Sequence, residues 1–342
     1  MQLSNPWKRI NVNSEISLSN KIGVVIIGRN EGERLLLCLK SITGQTKQIV
    51  YVDSDSTDNS VENAKSSGAH VVALDMAIPF SAARARNEGF YKIRQLYSQV
   101  EFVQFMDGDC EMNAEWLKNS FSFLQPHPDV AVVCGRRRER FPERSIYNQL
   151  CDIEWDTPVG ETKACGGDAL IRVDSFEMVD GFRQTLIAGE EPELCVRLRA
   201  KGWKIWRLDF EMTLHDAAMF HFKQWWKRNI RSGYAFAEGA FLHGKSDGKH
   251  WVRESRRSLI WGLIFPVLAF VLIICFGYWG LLLLLIYPIQ VIRIALLGSK
   301  TEKIKWLYAF FLVVGKFPEV LGQIKFYFNN YFNITARLIE YK

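Results

Sequence analysis

The chain has 342 residues, of which 48% are hydrophobic, and a formal net charge of +6 from 43 basic and 37 acidic side chains. This length exceeds one average domain, the apolar content is ample for a large core, and the modest charge does not by itself argue for a nucleic-acid ligand. Seven scattered cysteines without a paired metal-ligand spacing predict reduced thiols in a cytosol-facing protein. The polar segment at 1–20 lacks the apolar run of a secretory signal, so export of the soluble part is not expected.

The first third of the chain predicts strands that alternate with helices. Continuous β-branched runs are typical of parallel strands covered on both faces, and helical spacing of apolar residues lies between them. This order predicts right-handed crossovers and a sheet whose ligands gather at the carboxyl ends of the strands. The strands are expected at 22–27, 48–52 and 71–74, and the helices at 33–42 and 61–67.

A further apolar strand, at 102–106, ends abruptly in Asp107, Gly108 and Asp109. Residues two apart in an extended segment face the same side, so both carboxylates could meet one divalent cation, while Gly108 allows a ligand to approach the backbone. Oxygen ligands of this kind suit Mg²⁺ or Mn²⁺, particularly where phosphate oxygens complete the shell. A strand followed by an Asp-Gly turn with solvated acids explains the tripeptide alone equally well.

Arginines and acids recur at the ends of other predicted elements. Arg84 and Arg86 open a helix, where the helix dipole and a guanidinium could together meet a diphosphate, or could form an ordinary solvated face. Four arginines within 136–140 are typical of a solvated run but could hold an anionic acceptor. Glu190 and Glu191 open a helix that Gly202 ends; acids there suit the helix dipole, and one of them could act as a general base.

Together, these motifs resemble family 2 glycosyltransferases, from about Lys21 to about His215. The resemblance implies an α/β chain with the GT-A fold, a doubly wound mixed sheet, and inverting transfer from a nucleotide sugar. The loop after the first strand resembles the family's nucleotide-contacting loop, Asp53 the acid that recognises the base, and Arg86-Asn87 the pair near the diphosphate. Nucleotide-sugar binding is therefore expected of Gly28, Arg29, Asn30, Glu31, Asp53, Asp55, Arg86, Asn87 and Asp107.

The same resemblance implies metal, catalytic and acceptor residues. Asp107 and Asp109 resemble the DXD motif, and His215 resembles a further ligand of Mg²⁺ or Mn²⁺ in many such enzymes. Glu190-Glu191 resembles the Glu-Asp motif whose second acid is the catalytic base; glutamate replaces the usual aspartate, which leaves open which of the two is the base. The residues expected on the acceptor side are Gly166, Gly167 and Arg172.

The chain after residue 250 predicts a membrane-associated tail. Residues 259–276 and 281–297 are apolar runs long enough to span or nearly span a bilayer, joined by a turn at 277–280. Basic residues flank both outer ends, at 253–257 and 300–305, which predicts a hairpin with both ends on the cytoplasmic side. The segment at 306–322, interrupted by charges and a proline, predicts an interfacial or re-entrant helix. The expected domains are the arm at 1–20, the catalytic domain at 21–250, the transmembrane hairpin at 251–300 and the C-terminal segment at 301–342.

These features favour a glycosyltransferase of the inner membrane, facing the cytosol, that transfers a sugar to a lipid-linked acceptor, as in the assembly of surface polysaccharide. The alternatives are a polyprenyl-phosphate sugar synthase, a sugar-phosphate nucleotidyltransferase and a non-catalytic membrane scaffold. A dehydrogenase is disfavoured, because no Gly-x-Gly-x-x-Gly follows the first predicted strand.

Overall fold

The computed structural model describes residues 20–246, 248–298, 304–335 and 339. The predicted arm at 1–20 lies outside the described residues except for Asn20, as do Lys300 and Lys303 of the predicted basic flank. The chain divides into two compact units. The first comprises the residues up to Phe141, Asp152–Thr185 and Glu190–Ala217, and the second comprises Pro142–Cys151, Leu186–Gly189 and the residues from Ala218 onwards. The second unit thus begins before residue 250, where the catalytic domain is predicted to end.

Within the described residues, the first unit contains one nine-stranded mixed sheet. Its strands are β1 (Ile22–Gly28), β2 (Ile49–Asp53), β3 (His70–Ala73), β4 (Phe102–Asp107), β5 (Cys110–Met112), β6 (Val130–Glu139), β7 (Gly160–Thr162), β8 (Ala169–Arg172) and β9 (Lys204–His215). The strand order is β3-β2-β1-β4-β8-β6-β9-β5, and β7 pairs with β9. The predicted strands are therefore confirmed.

Strands β3, β2, β1 and β4 form the parallel half of the sheet. The β-branched residues of β1 and β2 are buried because helices cover both faces of such a sheet. In the register, Gly28 lies opposite Asp53 on one side of β1, and Ile27 lies opposite Asp107 on the other. Asp53 and Asp107, which are distant in the sequence, therefore lie at the same edge of the sheet, at the ends of the two strands that flank β1.

The other half of the sheet is mixed. β8 runs antiparallel to both β4 and β6, whereas the long strand β9 runs parallel to β6 and antiparallel to β5 and β7. The pairing of β5 with β9 places Cys110 opposite His215. This pairing brings the end of β9 to the loop that follows Asp107.

Helices connect these strands. The α-helices up to Ala200 are α1 (Glu33–Thr43), α2 (Ser60–Ser66), α3 (Ala82–Leu96), α4 (Trp116–Leu124), α5 (Ile146–Trp155), α6 (Val173–Met178) and α7 (Glu190–Ala200). The helices expected at 33–42 and 61–67 are confirmed with ends shifted by one residue. α3 packs closely on β1, since a Cβ atom at Gly89 would lie 2.3 Å from Val25 Cγ1. Gly89 therefore serves the packing of this helix against the sheet.

The second unit contains most of the apolar tail. Its later elements are α8 (Phe222–His243), α9 (Val252–Leu259), a π-helical turn (Ile260–Ile264), α10 (Phe265–Phe276), a 3₁₀ helix (Gly277–Leu285), α11 (Ile286–Leu297), α12 (Lys305–Val314) and α13 (Lys316–Tyr331). The chain reverses at Gly277, whose φ is +62°. Across the reversal, Tyr287 donates to the Trp261 carbonyl at 2.6 Å, and a Cβ atom at Gly280 would lie 2.3 Å from Ile273 N. The sequence predicts this hairpin but not the 3₁₀ winding of its second arm, which accompanies the close approach at Gly280.

Two helical stretches are long and apolar enough to cross a membrane. In the most apolar 18-residue window of Val252–Leu297, the mean hydropathy is 2.9 and 6% of the residues are buried. In the corresponding window of Lys305–Tyr331, the mean hydropathy is 1.3 and 50% of the residues are buried. The second stretch packs on α8 through small residues, because Cβ atoms at Gly233 and Gly322 would lie 1.9 and 2.0 Å from carbonyl oxygens of the facing helix. The C-terminal apolar helices are therefore candidate membrane spans.

Candidate active site

Two acids and a histidine converge at the carboxyl end of β4. Asp107 ends β4, Asp109 lies in the short loop before β5, and His215 ends β9. The ligating atoms of these residues and of Cys110 all lie within 4.8 Å of one another. His215 Nε2 is 3.4 Å from Asp109 Oδ1. The fold thus brings together the three residues that the sequence predicts as metal ligands.

The donor set fits a divalent cation. Carboxylate oxygens suit Mg²⁺ and Mn²⁺, and an imidazole nitrogen is compatible with a transition metal such as Mn²⁺. A thiol such as that of Cys110 is not a ligand that Mg²⁺ or Mn²⁺ prefers. Two carboxylates and one imidazole are therefore the suitable groups of this cluster, which makes a divalent metal plausible here.

A buried arginine links this cluster to helix α7. Arg86, in α3, donates from Nη2 to Asp107 Oδ1 at 2.7 Å and from Nη1 to Glu190 Oε1 at 2.6 Å. Burial raises the pKa of Asp107, but the guanidinium groups of Arg86 and Arg137 outweigh that effect and hold this pKa below its ordinary value. Asp107 therefore stays ionised beside the cluster.

Glu191, next to Glu190, faces a different set of donors. Its Oε1 accepts from the Cys165 amide at 2.6 Å, and its Oε2 accepts from the Gly166 amide at 2.8 Å. The thiols of Cys165 and Cys195 also donate to Oε1. Burial raises the pKa of Glu191 above its ordinary value, against the lowering effect of these donors. Among the described residues, Oε2 accepts only the Gly166 hydrogen bond, which leaves it room to accept another.

The glycine pair lies between Glu191 and the Asp107 cluster. Gly166 adopts a φ of +86°, a conformation that favours glycine. A Cβ atom at Gly167 would lie 3.1 Å from Arg86 Nη2, 3.3 Å from Arg137 Nη2 and 3.5 Å from Asp107 Oδ2. Glycine is therefore favoured at 166 by its backbone conformation and at 167 by the close approach of the two guanidinium groups.

The loops after β1 and β2 are joined by hydrogen bonds. The Asn30 amide donates to Ser56 Oγ at 2.9 Å, and the Thr57 amide donates to Asn30 Oδ1 at 2.7 Å. Asp53 accepts from the Tyr51 hydroxyl at 3.1 Å and from the Ser56 amide at 2.9 Å. Arg29 and Asp55 are exposed on these loops. The predicted nucleotide-binding residues at 28–31 and 53–55 thus lie on two adjacent loops that hydrogen bonds join.

Comparison with known proteins connects this arrangement to one family. Residues 23–178 match the family model of Glycosyl transferase family 2. Residues 23–178 are therefore similar to a family 2 glycosyltransferase domain. The glycosyltransferase match runs from β1 to the end of α6 and includes Asp53, Asp107 and the glycine pair. Glu190, Glu191 and His215 follow the matched segment in the sequence.

Individual relatives agree with this assignment. Glycosyltransferase AglE from Haloferax volcanii is 23% identical over 212 residues, which cover 58% of this chain and 68% of AglE. An uncharacterized glycosyltransferase from Rickettsia conorii, RC0292, is 41% identical over 56 residues, which cover 16% of this chain and 20% of that protein. The solved mannosyltransferase PcManGT from Pyrobaculum calidifontis, in complex with GDP-Man and Mn²⁺, has a TM-score of 0.58 at 17% identity, covering 90% of this chain and 87% of that one. The predicted GT-A fold is thereby confirmed.

Sequence reasoning missed one buried acid of the candidate site. Asp168 is fully buried and accepts from Arg137 Nε at 3.0 Å and from Thr213 Oγ1 at 2.7 Å. Arg137 also lies 3.9 Å from Asp107 Oδ2. Asp168 therefore holds Arg137, which belongs to the 136–140 run and approaches Asp107. Its position directly after the glycine pair is the sequence signal that could have marked it.

Two of the predicted site residues, Asn87 and Arg172, make contacts elsewhere in the protein. Asn87 donates to the Phe182 carbonyl at 2.8 Å and accepts from the Phe182 amide at 3.0 Å, so its side chain fixes a loop. Arg172 lies opposite Phe102, the first residue of β4, about 16 Å along the strand from Asp107. There it donates to the Leu124 carbonyl at 3.1 Å. The structure does not bring Arg172 to the glycine pair, so we leave it out of the proposed site.

Proposed function

We propose that this glycosyltransferase moves a sugar from a nucleoside-diphosphate sugar to a hydroxyl group of a lipid-linked acceptor, with inversion at the anomeric carbon. The observation that carries the proposal is the convergence of Asp107, Asp109 and His215 at one sheet edge, linked by Arg86 to Glu190. A metal-binding cluster beside two buried glutamates is the arrangement that such a displacement requires.

The donor nucleotide is assigned to the joined loops after β1 and β2. Asp53 and Asp55 offer acceptors to a base or ribose, and Gly28 leaves the backbone accessible. PcManGT, which shares the fold, was solved with GDP-Man and Mn²⁺. This supports a nucleoside-diphosphate sugar as the donor class for the present chain as well.

The diphosphate is assigned to the edge of β4. Asp107, Asp109 and His215 would hold Mg²⁺ or Mn²⁺, which when bound supplies positive charge to the departing diphosphate. Arg86 keeps Asp107 ionised and in place through its 2.7 Å contact. Arg137, held by Asp168, adds a second guanidinium near the same acid.

Glu191 is the proposed general base, with Glu190 as a positioning residue. The two amides of Cys165 and Gly166 fix the Glu191 carboxylate, and its raised pKa suits an acceptor of a hydroxyl proton near neutral pH. As the acceptor oxygen attacks the anomeric carbon, its proton passes to Glu191 and the nucleoside diphosphate leaves from the opposite face. One displacement of this kind inverts the configuration. Glu190 instead holds Arg86, so its removal acts through Asp107.

The C-terminal helices support the proposed acceptor and the proposed location of the enzyme. Val252–Leu297 exposes large apolar side chains, such as Ile274 at 69% and Leu297 at 78%, which water solvates poorly. Insertion in a bilayer covers them, and Arg253, Arg256 and Arg257 then suit the cytoplasmic face. We therefore place the enzyme on the cytoplasmic inner membrane, with its site facing the cytosol and acting on a lipid-borne hydroxyl or phosphate-linked glycan.

The test is a screen of nucleotide sugars by thermal stabilisation of the full chain, with and without Mn²⁺ or Mg²⁺. Radiolabelled sugar from the stabilising donor is then followed in membranes. Label in an organic-soluble product supports a lipid-linked acceptor, and label only in water-soluble products contradicts it. Mild acid hydrolysis of that product separates sugar placed directly on lipid phosphate from sugar added to a glycan.

A further inference from the structure

A second cluster of ligating atoms lies around Glu191. Cys165 Sγ is 2.8 Å and Cys195 Sγ is 3.0 Å from Glu191 Oε1, and the two sulfur atoms are 3.9 Å apart. All three ligating atoms lie within 4.8 Å of one another. The sequence spacing gives no hint of this cluster, because Cys165 and Cys195 are 30 residues apart.

We propose that Cys165, Glu191 and Cys195 form a site for one thiophilic divalent cation, Zn²⁺ or Cd²⁺, separate from the Asp107 cluster. Tetrahedral zinc with metal–sulfur bonds of about 2.3 Å places two sulfur ligands about 3.8 Å apart. The observed separation of 3.9 Å already matches that value. The carboxylate oxygen must withdraw from each sulfur by roughly half an ångström to reach the ligand spacing of such a centre.

The scaffold already positions the three ligands. Glu191 and Cys195 are four residues apart on α7, so they share one face of the helix. Cys165 comes from the loop that the Glu191 carboxylate holds through the Cys165 and Gly166 amides. The Gly166 amide contacts Oε2, which leaves Oε1 directed at the sulfurs. A hydrogen bond of this kind to the outer oxygen orients a carboxylate ligand and strengthens metal binding.

The two clusters differ in the cations that they prefer. Two sulfur ligands select zinc or cadmium over Mg²⁺, whereas carboxylate oxygens and one imidazole suit Mg²⁺ or Mn²⁺. Binding at the sulfur site releases the two thiol protons, and the resulting thiolates and carboxylate provide three negative charges for the cation. A water molecule completes the fourth position of the tetrahedron.

Occupation of this site has a consequence that rests on the proposed base role of Glu191. A cation bound at Oε1 withdraws electron density from the carboxylate and makes it a poorer proton acceptor. Zn²⁺ then inhibits sugar transfer while donor binding at the Asp107 cluster persists. Free zinc would thereby regulate the enzyme.

The first test is a Cd²⁺ titration of the fully reduced full-length chain in detergent, followed by the ultraviolet absorption of cadmium thiolates. We expect one Cd²⁺ per chain with the intensity of two thiolates. Cys165→Ser and Cys195→Ser are each expected to weaken binding at least about tenfold. Cys275→Ser, at an exposed position, is the matched control and leaves binding unchanged. Unchanged affinity in both site variants would overturn the proposal.

The second test needs no substitution and so does not depend on how the variants fold. The wild-type chain is alkylated with iodoacetamide with and without Zn²⁺, and each cysteine is quantified by mass spectrometry. Zn²⁺ is expected to slow alkylation of Cys165 and Cys195 but not of Cys275, and equal rates at Cys165 would overturn the site. Protection without inhibition of sugar transfer would support the site and count against Glu191 as the base.

Discussion

Arg86 Nη2 lies 2.7 Å from Asp107 Oδ1, and the Arg86 side chain is 4% exposed. The other amino group of the same guanidinium pairs with Glu190 at 2.6 Å. One arginine of α3 therefore connects Asp107 to the helix that carries the proposed base. Its burial makes this linkage less sensitive to salt than an exposed ion pair.

Arg86→Met is expected to destabilise the fold strongly, because it leaves the buried Glu190 carboxylate without its arginine and removes one of the two guanidinium groups beside Asp107. Breaking a buried ion pair from one side typically costs about 3–5 kcal/mol. The measurement is the free energy of unfolding of the full chain in denaturant. Arg94→Met is the control, since the exposed pair of Arg94 with Glu177 should contribute at most about 1 kcal/mol. Equal losses in the two variants would contradict the central role of Arg86.

Gly167→Ala is expected to lower activity with little loss of stability. Its Cβ atom would lie 3.1 Å from Arg86 Nη2, so the loop or the guanidinium must shift by a few tenths of an ångström. A misplacement of about 1 Å at a catalytic centre can reduce the rate about 100-fold, so this smaller shift is expected to cost less than that. Gly44→Ala, where nothing lies within 4 Å, is the control and should keep full activity. The check is the initial rate of transfer beside the melting temperature of each variant.

Asp109→Asn is expected to abolish stabilisation by Mn²⁺. A cation at 100 times its dissociation constant stabilises a folded protein by about 2.7 kcal/mol, and loss of one carboxylate ligand removes most of that gain. The shift of the melting temperature with added Mn²⁺ measures the effect, and EDTA should reverse it in the wild type. Asp129→Asn, in an exposed pair with Lys204, should respond to Mn²⁺ as the wild type does. A full Mn²⁺ response in Asp109→Asn would exclude this acid as a ligand.

Glu191→Gln and Glu190→Gln are expected to fail in different ways. Loss of a general base reduces turnover by about 10²- to 10⁴-fold, so Glu191→Gln should bind donor and Mn²⁺ but transfer slowly. Glu190→Gln frees one side of Arg86 and should weaken donor or metal binding as well. Separate measurement of donor affinity by calorimetry and of turnover at saturating donor distinguishes the two. If Glu190→Gln alone lost turnover with intact binding, the base would be Glu190.

Val267→Arg tests whether the apolar hairpin enters a bilayer. Val267 lies in the middle of the predicted span at 259–276 and is 52% exposed in the protein alone, so arginine costs little there in water. At the centre of a membrane-spanning helix an arginine costs about 2.5–3.5 kcal/mol. We expect weaker flotation with lipid vesicles for Val267→Arg and unchanged flotation for Ile78→Arg, a 52% exposed control in the first unit. Identical flotation of both variants would argue against insertion of the hairpin.

The sequence alone was sufficient for the parallel half of the sheet and for the strand ends at which Asp53 and Asp107 lie. Uninterrupted β-branched runs followed by Asp53 and Asp107 predict strand ends at one edge, because parallel strands all point their carboxyl ends the same way. His215 was reached through resemblance, since a lone histidine carries little information by itself. The turn at Gly277 was equally visible, as it separates two apolar runs.

Other features depend on contacts between residues that are distant in sequence. The antiparallel pairings of β8, which no local pattern encodes, produce three of these features. They are the mixed half of the sheet, the placement of Arg172 at the far end of β4 and the burial of Asp168 against Arg137. The different partners of Glu190 and Glu191 also depend on contacts between residues that are distant in sequence. Adjacent residues of a helix point in directions about 100° apart, so one meets Arg86 and the other meets the Cys165 loop. The sequence by itself determined which acids end the strands, because strand period and polarity are local properties; only the tertiary structure decided which partner each acid meets, because those partners are brought together by packing.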